Sequence, residues 1–241
     1  MLLKPWEELP DSLRIPEVRR YYDILQKKRA SLIAKRIFDV IVSAIMMVVL
    51  SPVFALLAIA IKLDSEGPVF YRQVRVTQYG KTFRIHKFRS MVNHADKRGT
   101  LVTVNGDSRI TRIGRLIREK RLDEIAQLID VFLGTMTFVG TRPEVPKYVA
   151  HYTPEMMATL LLPAGVTSLT SIFYSGESAL LDAAKDPDKV YVEDVLPGKM
   201  KWNLKGIERF SFWGDIRIMV MTVLAVCGKK YKGDYEEAIR K

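Results

Sequence analysis

The sequence of 241 residues has a single cysteine, Cys227, and three histidines. One thiol excludes an intramolecular disulfide framework and any cysteine-rich zinc module, and fits a reducing compartment. His86, His94 and His151 lack metal-ligand spacing. There is no G-x-x-x-x-G-K-[ST] loop and no G-x-G-x-x-G fingerprint, which argues against a P-loop NTPase and a Rossmann cofactor site. Zinc-finger spacing and a helix-turn-helix pattern are missing too, so nucleic acid is not an expected partner. The first 36 residues, polar and with prolines at 5, 10 and 16, do not resemble a cleavable signal peptide. Acids are scarce: 27 Asp and Glu stand against 38 Lys and Arg, a net charge of +11. That imbalance calls for an anionic partner, either phosphorylated small molecules or an anionic membrane face.

What is present begins with a core's worth of apolar residues, 48% of the chain against 27% charged. Such a chain is neither disordered nor uniformly membrane-embedded. Residues 40–61, VIVSAIMMVVLSPVFALLAIAI, carry no charge. At about 1.5 Å per residue they make roughly 33 Å of helix, enough for a bilayer core of about 30 Å. Lys35 and Arg36 precede the run and Lys62, Arg72 and Arg75 follow it, which draws both ends to the cytoplasmic face. Pro52 lacks the N–H that would reach the carbonyl of Val48, so a kink is expected at Ser51-Pro52. A re-entrant hairpin fits both observations, and a kinked spanning helix is the alternative. A second apolar stretch, residues 216–227, is too short to span and reads as an interfacial or core helix. The basic tail with Lys229, Lys230 and Lys232 suits a surface near anionic lipid.

The remainder reads as α+β. Residues 69–76 and 81–91 alternate in the manner of a β-hairpin, which puts Lys87 and Arg89 on one face. From Ile110 the period becomes helical through Ile113, Leu116 and Ile117, then Leu122, Ile125, Leu128 and Ile129. Residues 144–162 and 191–205 are expected to be helical.

Three constellations could carry chemistry. Arg109, Arg112, Arg115, Arg118 and Arg121 recur every three residues, a drifting helical stripe able to hold a diphosphate or dock on headgroups, or simply a solvated basic face. Asp123 and Glu124 follow directly. Acids at a helix start are commonplace, but a carboxylate among cations stays ionised and can ligate Mg²⁺ or attack phosphorus. Gly140-Thr-Arg142-Pro143-Glu144 places an arginine at a sharp turn, where it can project into a cleft. Asp186-Pro-Asp188 has the Asp-x-Asp form of a metal-nucleotide site but reads as a turn.

Taken in order, KRIFD (35–39), the apolar run with Ser51-Pro52, GPVF (67–70), KFRSM (87–91), LDE (122–124) and FVGTRPE (138–144) resemble the bacterial sugar transferase family, the monotopic polyprenyl-phosphate phosphoglycosyl transferases. PAGVT (163–167) and FSFWGD (210–215) add weaker matches. The resemblance implies a re-entrant membrane helix broken at Ser51 and Pro52. It implies Asp123 as nucleophile and Mg²⁺ ligand, with Glu124 orienting or deprotonating a partner. Lys87, Arg89, Arg115, Arg118, Arg142, Pro143 and Glu144 become the candidate phosphate-binding set. The family's Pro-Arg-Pro element falls on Thr141, Arg142 and Pro143, so its first proline is replaced here. The segment from Gly165 to Glu177 departs from the family pattern and assigns no sugar.

The resulting expectation is a polar, basic extension over residues 1–32, a re-entrant hairpin over 33–64 and a cytoplasmic-face catalytic domain over 65–241. That domain is mostly helical with a small β-hairpin and interfacial amphipathic helices, set on the bacterial cytoplasmic membrane. The implied substrates are a nucleotide sugar and polyprenyl phosphate, with anionic lipids as further partners and a ping-pong reaction releasing UMP. Residues 1–32 could serve as an interfacial segment or as a homodimer contact. The rival readings are a basic membrane-anchored adaptor and a conventional glycosyltransferase that releases UDP.

Overall fold

The computed structural model describes residues 3–93, 95, 107–173, 184, 186–229 and 231. His94, Lys230, Lys232 and the part of the divergent segment from residue 174 to 177 lie outside the described residues. The described chain is mostly helical with a few short strands.

Two single-turn 3₁₀ segments, Trp6–Glu8 and Asp11–Leu13, lead into α1, Pro16–Lys27. Pro16 stands in the first turn, where its missing N–H has no intrahelical partner to lose. Leu3, Leu9 and Leu13 together with Val18, Tyr21, Tyr22 and Leu25 of α1 are buried against Leu160, Leu161, Leu204, Ile207 and Phe210. Residues 3–32 are therefore a layer of the core, and a boundary after residue 32 falls inside the next helix. Their charges belong to the outer face, which is why composition alone reads as an extension.

α2, Arg29–Val49, and α3, Ser51–Asp64, meet at Leu50 with a bend of 61°. Pro52 cannot donate to the carbonyl of Val48, and the Ser51 hydroxyl does so instead at 2.8 Å. The break is thus relieved locally rather than left as an unsatisfied carbonyl. Among the described residues no single helix is long and apolar enough to cross a membrane, whereas this bent pair passes the test of length and composition together.

α2 has an inverted pattern. Lys35, Asp39 and Ser43 are buried while Ile33, Ile37, Ile41 and Ile45 are 44–57% exposed. The Lys35 ammonium donates to the carbonyl of Val139 at 2.8 Å and pairs with Asp215. Asp39 accepts from the Thr137 hydroxyl at 2.6 Å. Arg36 donates to the carbonyls of Val131 and Phe132 at 2.8 and 2.9 Å.

The hairpin forms in two pieces: β1, Phe70–Tyr71, pairs antiparallel with β4, Lys87–Phe88, and β2, Val74–Val76, with β3, Thr82–Arg84. The predicted helical run from Ile110 is interrupted. α4, Arg112–Glu119, ends at Lys120, Arg121 turns left-handed, and a 3₁₀ segment, Leu122–Gln127, leads into α5, Leu128–Leu133. β5, Met136–Val139, then pairs in parallel with β6, Ala164–Thr167. Between them the expected long helix shrinks to α6, Pro146–Val149, which starts only after the extended Val145, and a 3₁₀ segment, Met156–Leu161. α7 spans Leu169–Phe173.

The last predicted helix is longer than expected: α8, Pro187–Val190, a π turn, Tyr191–Val195, and α9, Leu196–Glu208, run on as one helical stretch. Asp186 caps it by accepting from the Lys189 N–H at 3.1 Å, so the Asp-x-Asp element is a helix start. α10, Phe212–Val226, is capped by Ser211 and exposes Trp213, Val220, Val223 and Val226.

Candidate active site

A cavity of about 850 Å³ opens between the hairpin, α4 and the 3₁₀ segment that carries Asp123 and Glu124. Three local devices build it. The left-handed residue Arg121 (φ 53°) redirects the chain after α4 and sets Asp123 and Glu124 on a tight 3₁₀ turn. The β1–β4 pairing places Lys87 opposite Tyr71, at the cavity wall. The close pairing of β5 and β6 sets the turn that presents Arg142. There the N–H of Gly140 donates to Thr167 at 2.9 Å, and the N–H of Gly165 donates to Thr141 at 2.8 Å. A Cβ on Gly165 would lie 2.2 Å from the Gly140 nitrogen, so only glycine permits this approach.

Glu124 is clamped. Lys87 donates to its carboxylate at 3.0 Å and Arg142 through both terminal nitrogens, one of them at 3.2 Å. Burial works against its ionisation, but the charges of Arg142 and Lys87 and their hydrogen bonds prevail and hold it well below the usual carboxylate range. Burial likewise opposes the charge on Arg142, and Glu124 more than compensates. For Lys87 burial prevails, lowering its pKa despite the same partner.

Asp123 has a different environment. No lysine or arginine among the described residues hydrogen-bonds it. Burial raises its pKa, the adjacent Glu124 charge adds to the rise, and Lys87 and Arg118 act in the opposite direction. The expectation that cations would keep both carboxylates strongly acidic therefore holds for Glu124 and fails for Asp123, because only Glu124 is contacted directly.

The other predicted residues are distributed unequally. Arg118 lines the cavity; Arg115, one turn earlier on α4, is exposed and does not. Arg89 borders the cavity, but its guanidinium is committed to carbonyls at the end of α3, including that of Ser65 at 2.6 Å. Pro143 offers its carbonyl to Arg75 at 3.0 Å. Glu144 is buried behind Arg142 and accepts from the Tyr191 hydroxyl. It braces the wall and does not line the main cavity. Arg75, which does line it, was not among the predicted site residues, and Arg121, which also lines it, was read only as part of the basic stripe. Arg75 alternates with Val74 and Val76 in a strand, which sets it on the face opposite the buried Val76 but does not say that this face borders the cavity.

The family model for bacterial sugar transferases matches residues 30–229, and the chain belongs to that family. Its relatives include a UDP-glucose:undecaprenyl-phosphate glucose-1-phosphate transferase of Xanthomonas campestris pv. campestris, 34% identical over 82% of this chain and 40% of that protein. A UDP-N-acetylgalactosamine-undecaprenyl-phosphate N-acetylgalactosaminephosphotransferase of Aeromonas hydrophila is 31% identical over 80% of this chain and 43% of its own length. An uncharacterized sugar transferase, EpsL, of Bacillus subtilis (strain 168) is 33% identical over 81% of this chain and 88% of its own. The chain thus spans about two fifths of the first two relatives.

Proposed function

We propose that this chain is a phosphoglycosyl transferase. It moves a sugar-1-phosphate from a UDP-sugar to a polyprenyl phosphate, undecaprenyl phosphate being the acceptor named for its relatives. The observation that carries this is the division between two adjacent carboxylates at the wall of one cationic cavity. Glu124 is neutralised by Lys87 and Arg142, while Asp123 is left without such a partner. In the first half-reaction an Asp123 carboxylate oxygen forms a bond to the phosphorus that bears the sugar. The bond from that phosphorus to the bridging diphosphate oxygen breaks, and its electron pair leaves with UMP. In the second, a phosphate oxygen of the lipid attacks the same phosphorus and the Asp123 carboxylate departs. Glu124, held ionised, is a poor proton acceptor, and its part is to fix Lys87 and Arg142 where the transferring phosphoryl group carries charge.

A divalent cation is compatible with this donor set. Mg²⁺ commonly takes one or two carboxylates plus substrate phosphate oxygens. Among the described residues no group of three or more His, Cys, Asp or Glu could enclose a metal alone. Asp123 would hold the ion together with the substrate, and the ion would neutralise developing phosphate charge.

The exposed isoleucine stripe of α2 and the apolar face of α10 support seating on a membrane as a wedge. The basic flanks of the bent helix pair favour both its ends on the cytoplasmic side, which supports a re-entrant hairpin over a broken span. A cytosolic nucleotide sugar and a lipid phosphate then meet at the headgroup plane.

The decisive experiment follows nucleotide release from a panel of UDP-sugars with undecaprenyl phosphate and Mg²⁺ in nanodiscs. UMP formation that requires lipid phosphate and metal, and that falls on the order of 10³-fold or more in Asp123→Asn, is the expected outcome. UDP release would make the protein a conventional glycosyltransferase instead. The Asp123→Asn variant also has a signed effect on stability. Because burial raises the Asp123 pKa, the wild type loses stability relative to Asn as pH rises through that raised value. Below the ordinary carboxylate pKa the two converge. Melting curves across pH check this and show at the same time that the inactive variant is folded.

A further inference from the structure

Asp130 and His86 form a buried carboxylate–imidazole pair that the proposed reaction does not use. The Asp130 side chain is 3% exposed and that of His86 12%. One Asp130 oxygen accepts from the His86 backbone N–H at 2.8 Å, and the other faces the Nδ1 atom of the same residue at 2.8 Å. Opposite a carboxylate oxygen Nδ1 acts as the donor. A histidine held at both its backbone and its ring is fixed in place and in rotamer.

The pair stands directly behind the site. His86 immediately precedes Lys87, which lines the main cavity, whereas His86 does not. Asp130 belongs to α5, which continues without a break from the 3₁₀ segment that carries Glu124. Two ties therefore join the same two stretches of chain at neighbouring points. Lys87 reaches Glu124 at 3.0 Å on the cavity side, and His86 reaches Asp130 behind it. The His86 ring also meets Phe70, another residue of the cavity wall, edge to face with ring centres 5.9 Å apart.

Lys87 needs such support. Its side chain is a flexible stem, and Glu124 holds only the far end. Where the stem is rooted depends on the backbone at residues 86 and 87. β4 is only two residues long, as is its partner β1, so this sheet supplies little rigidity of its own. We propose that Asp130 and His86 are positioning residues that root Lys87, so that its ammonium meets Glu124 and the cavity in one fixed geometry. The consequence for turnover rests on the phosphoglycosyl transfer proposed above, in which Lys87 faces the charge of the transferring phosphoryl group. The consequence for Lys87 itself does not.

The test compares wild type, Asp130→Ala, His86→Phe and His86→Asn as full chains in nanodiscs. Phenylalanine keeps a ring against Phe70 and loses the ring bond to Asp130. Asparagine keeps an N–H close to the place of Nδ1 and loses the ring. Acetylation of Lys87 by an amine-reactive reagent, followed by mass spectrometry, should be several-fold faster in Asp130→Ala and less so in His86→Phe. His86→Asn should stay near wild type. Hydrogen exchange should rise at residues 86–88 and stay unchanged in α1. UMP formation should fall on the order of tenfold in kcat in Asp130→Ala, with the KM for the UDP-sugar within about twofold. Should Asp130→Ala fail to fold, the two His86 variants decide alone. Four results would overturn the assignment: wild-type acetylation of Lys87 in the variants that lose the bond, His86→Asn as impaired as His86→Phe, exchange gains that spread to α1, or a loss that falls on KM instead of kcat. If Lys87 responds as expected but no donor yields UMP with the wild type, the positioning pair stands and the phosphoglycosyl transfer assignment fails.

Discussion

α1 and α2 follow one another with only Lys28 between them, and they turn opposite kinds of residue inward. α1 buries Val18, Tyr21, Tyr22 and Leu25 and leaves Glu17, Arg19 and Arg20 outside. α2 buries Lys35, Asp39 and Ser43 and leaves Ile33, Ile37, Ile41 and Ile45 outside. Both stripes have helical spacing, so period alone does not separate them. What differs is the kind of surface each outer face presents, charged on α1 and apolar on α2. A fully exposed isoleucine forgoes about 1.5–3 kcal/mol of burial, and a buried charge is costly unless paired. α2 accepts both terms at once. Its buried charges are matched by Asp215, the Val139 carbonyl and Thr137, and its outer face is an unbroken apolar stripe.

The largest expected effect breaks the inner face of α2. Lys35→Met would strand the buried Asp215 carboxylate and the Val139 carbonyl, costing about 3–5 kcal/mol. Adding Asp215→Leu should restore much of that stability, since an apolar pair can replace a buried ion pair with little loss. Chemical denaturation in micelles of the two single variants and the double variant separates these outcomes. If Lys35→Met alone is neutral, the inner face of α2 is not held by its charges. Next in size is the inner face of α1. Leu25 has no exposed surface, and Leu25→Ala should cost about 2–5 kcal/mol by the same measurement. A loss that large in a segment of polar composition would place residues 3–32 firmly in the folding unit. Retained stability would return them to the status of an appendage.

How much of this was legible depends on which force set each element. The Ser51-Pro52 break was readable because proline's missing N–H acts within one turn. The hairpin was readable from its alternation. The order of motifs pointed to Asp123, Glu124, Lys87 and Arg142, which the fold gathers at one cavity. Three features were not legible. The parallel pairing of β5 and β6 joins four-residue strands across a long connection, and nothing local announces it. The break at Arg121 interrupts an intact helical period with a residue that gives no turn signal. The inversion of α2 was written in the sequence, since Lys35, Asp39 and Ser43 fall every four residues. A charge-free window that begins at Val40 conceals it, because the inward charges lie just upstream of the run. Arg89 shows the remaining limit: a strand period places it beside Lys87, but only the folded end of α3 shows that its guanidinium is consumed by backbone carbonyls.

The smallest expected effect on the fold, and the one that most sharpens the contrast, lies on the outer face of α2. Ile41 and Ile45 are both more than half exposed and make their outward contacts with whatever surrounds the protein. Substituting both with serine removes no fully buried side chain, so stability in micelles should change far less than in Leu25→Ala, by about 1 kcal/mol or less. Flotation with anionic vesicles should respond in the opposite sense, because the polar pair weakens the apolar face that a wedge presents to lipid. Arg19→Ser on the outer face of α1 should leave both measurements nearly unchanged. If Ile41→Ser with Ile45→Ser instead destabilises the fold as severely as Leu25→Ala, that stripe is covered by protein. A second chain, and not the bilayer, would then be what the inverted helix faces.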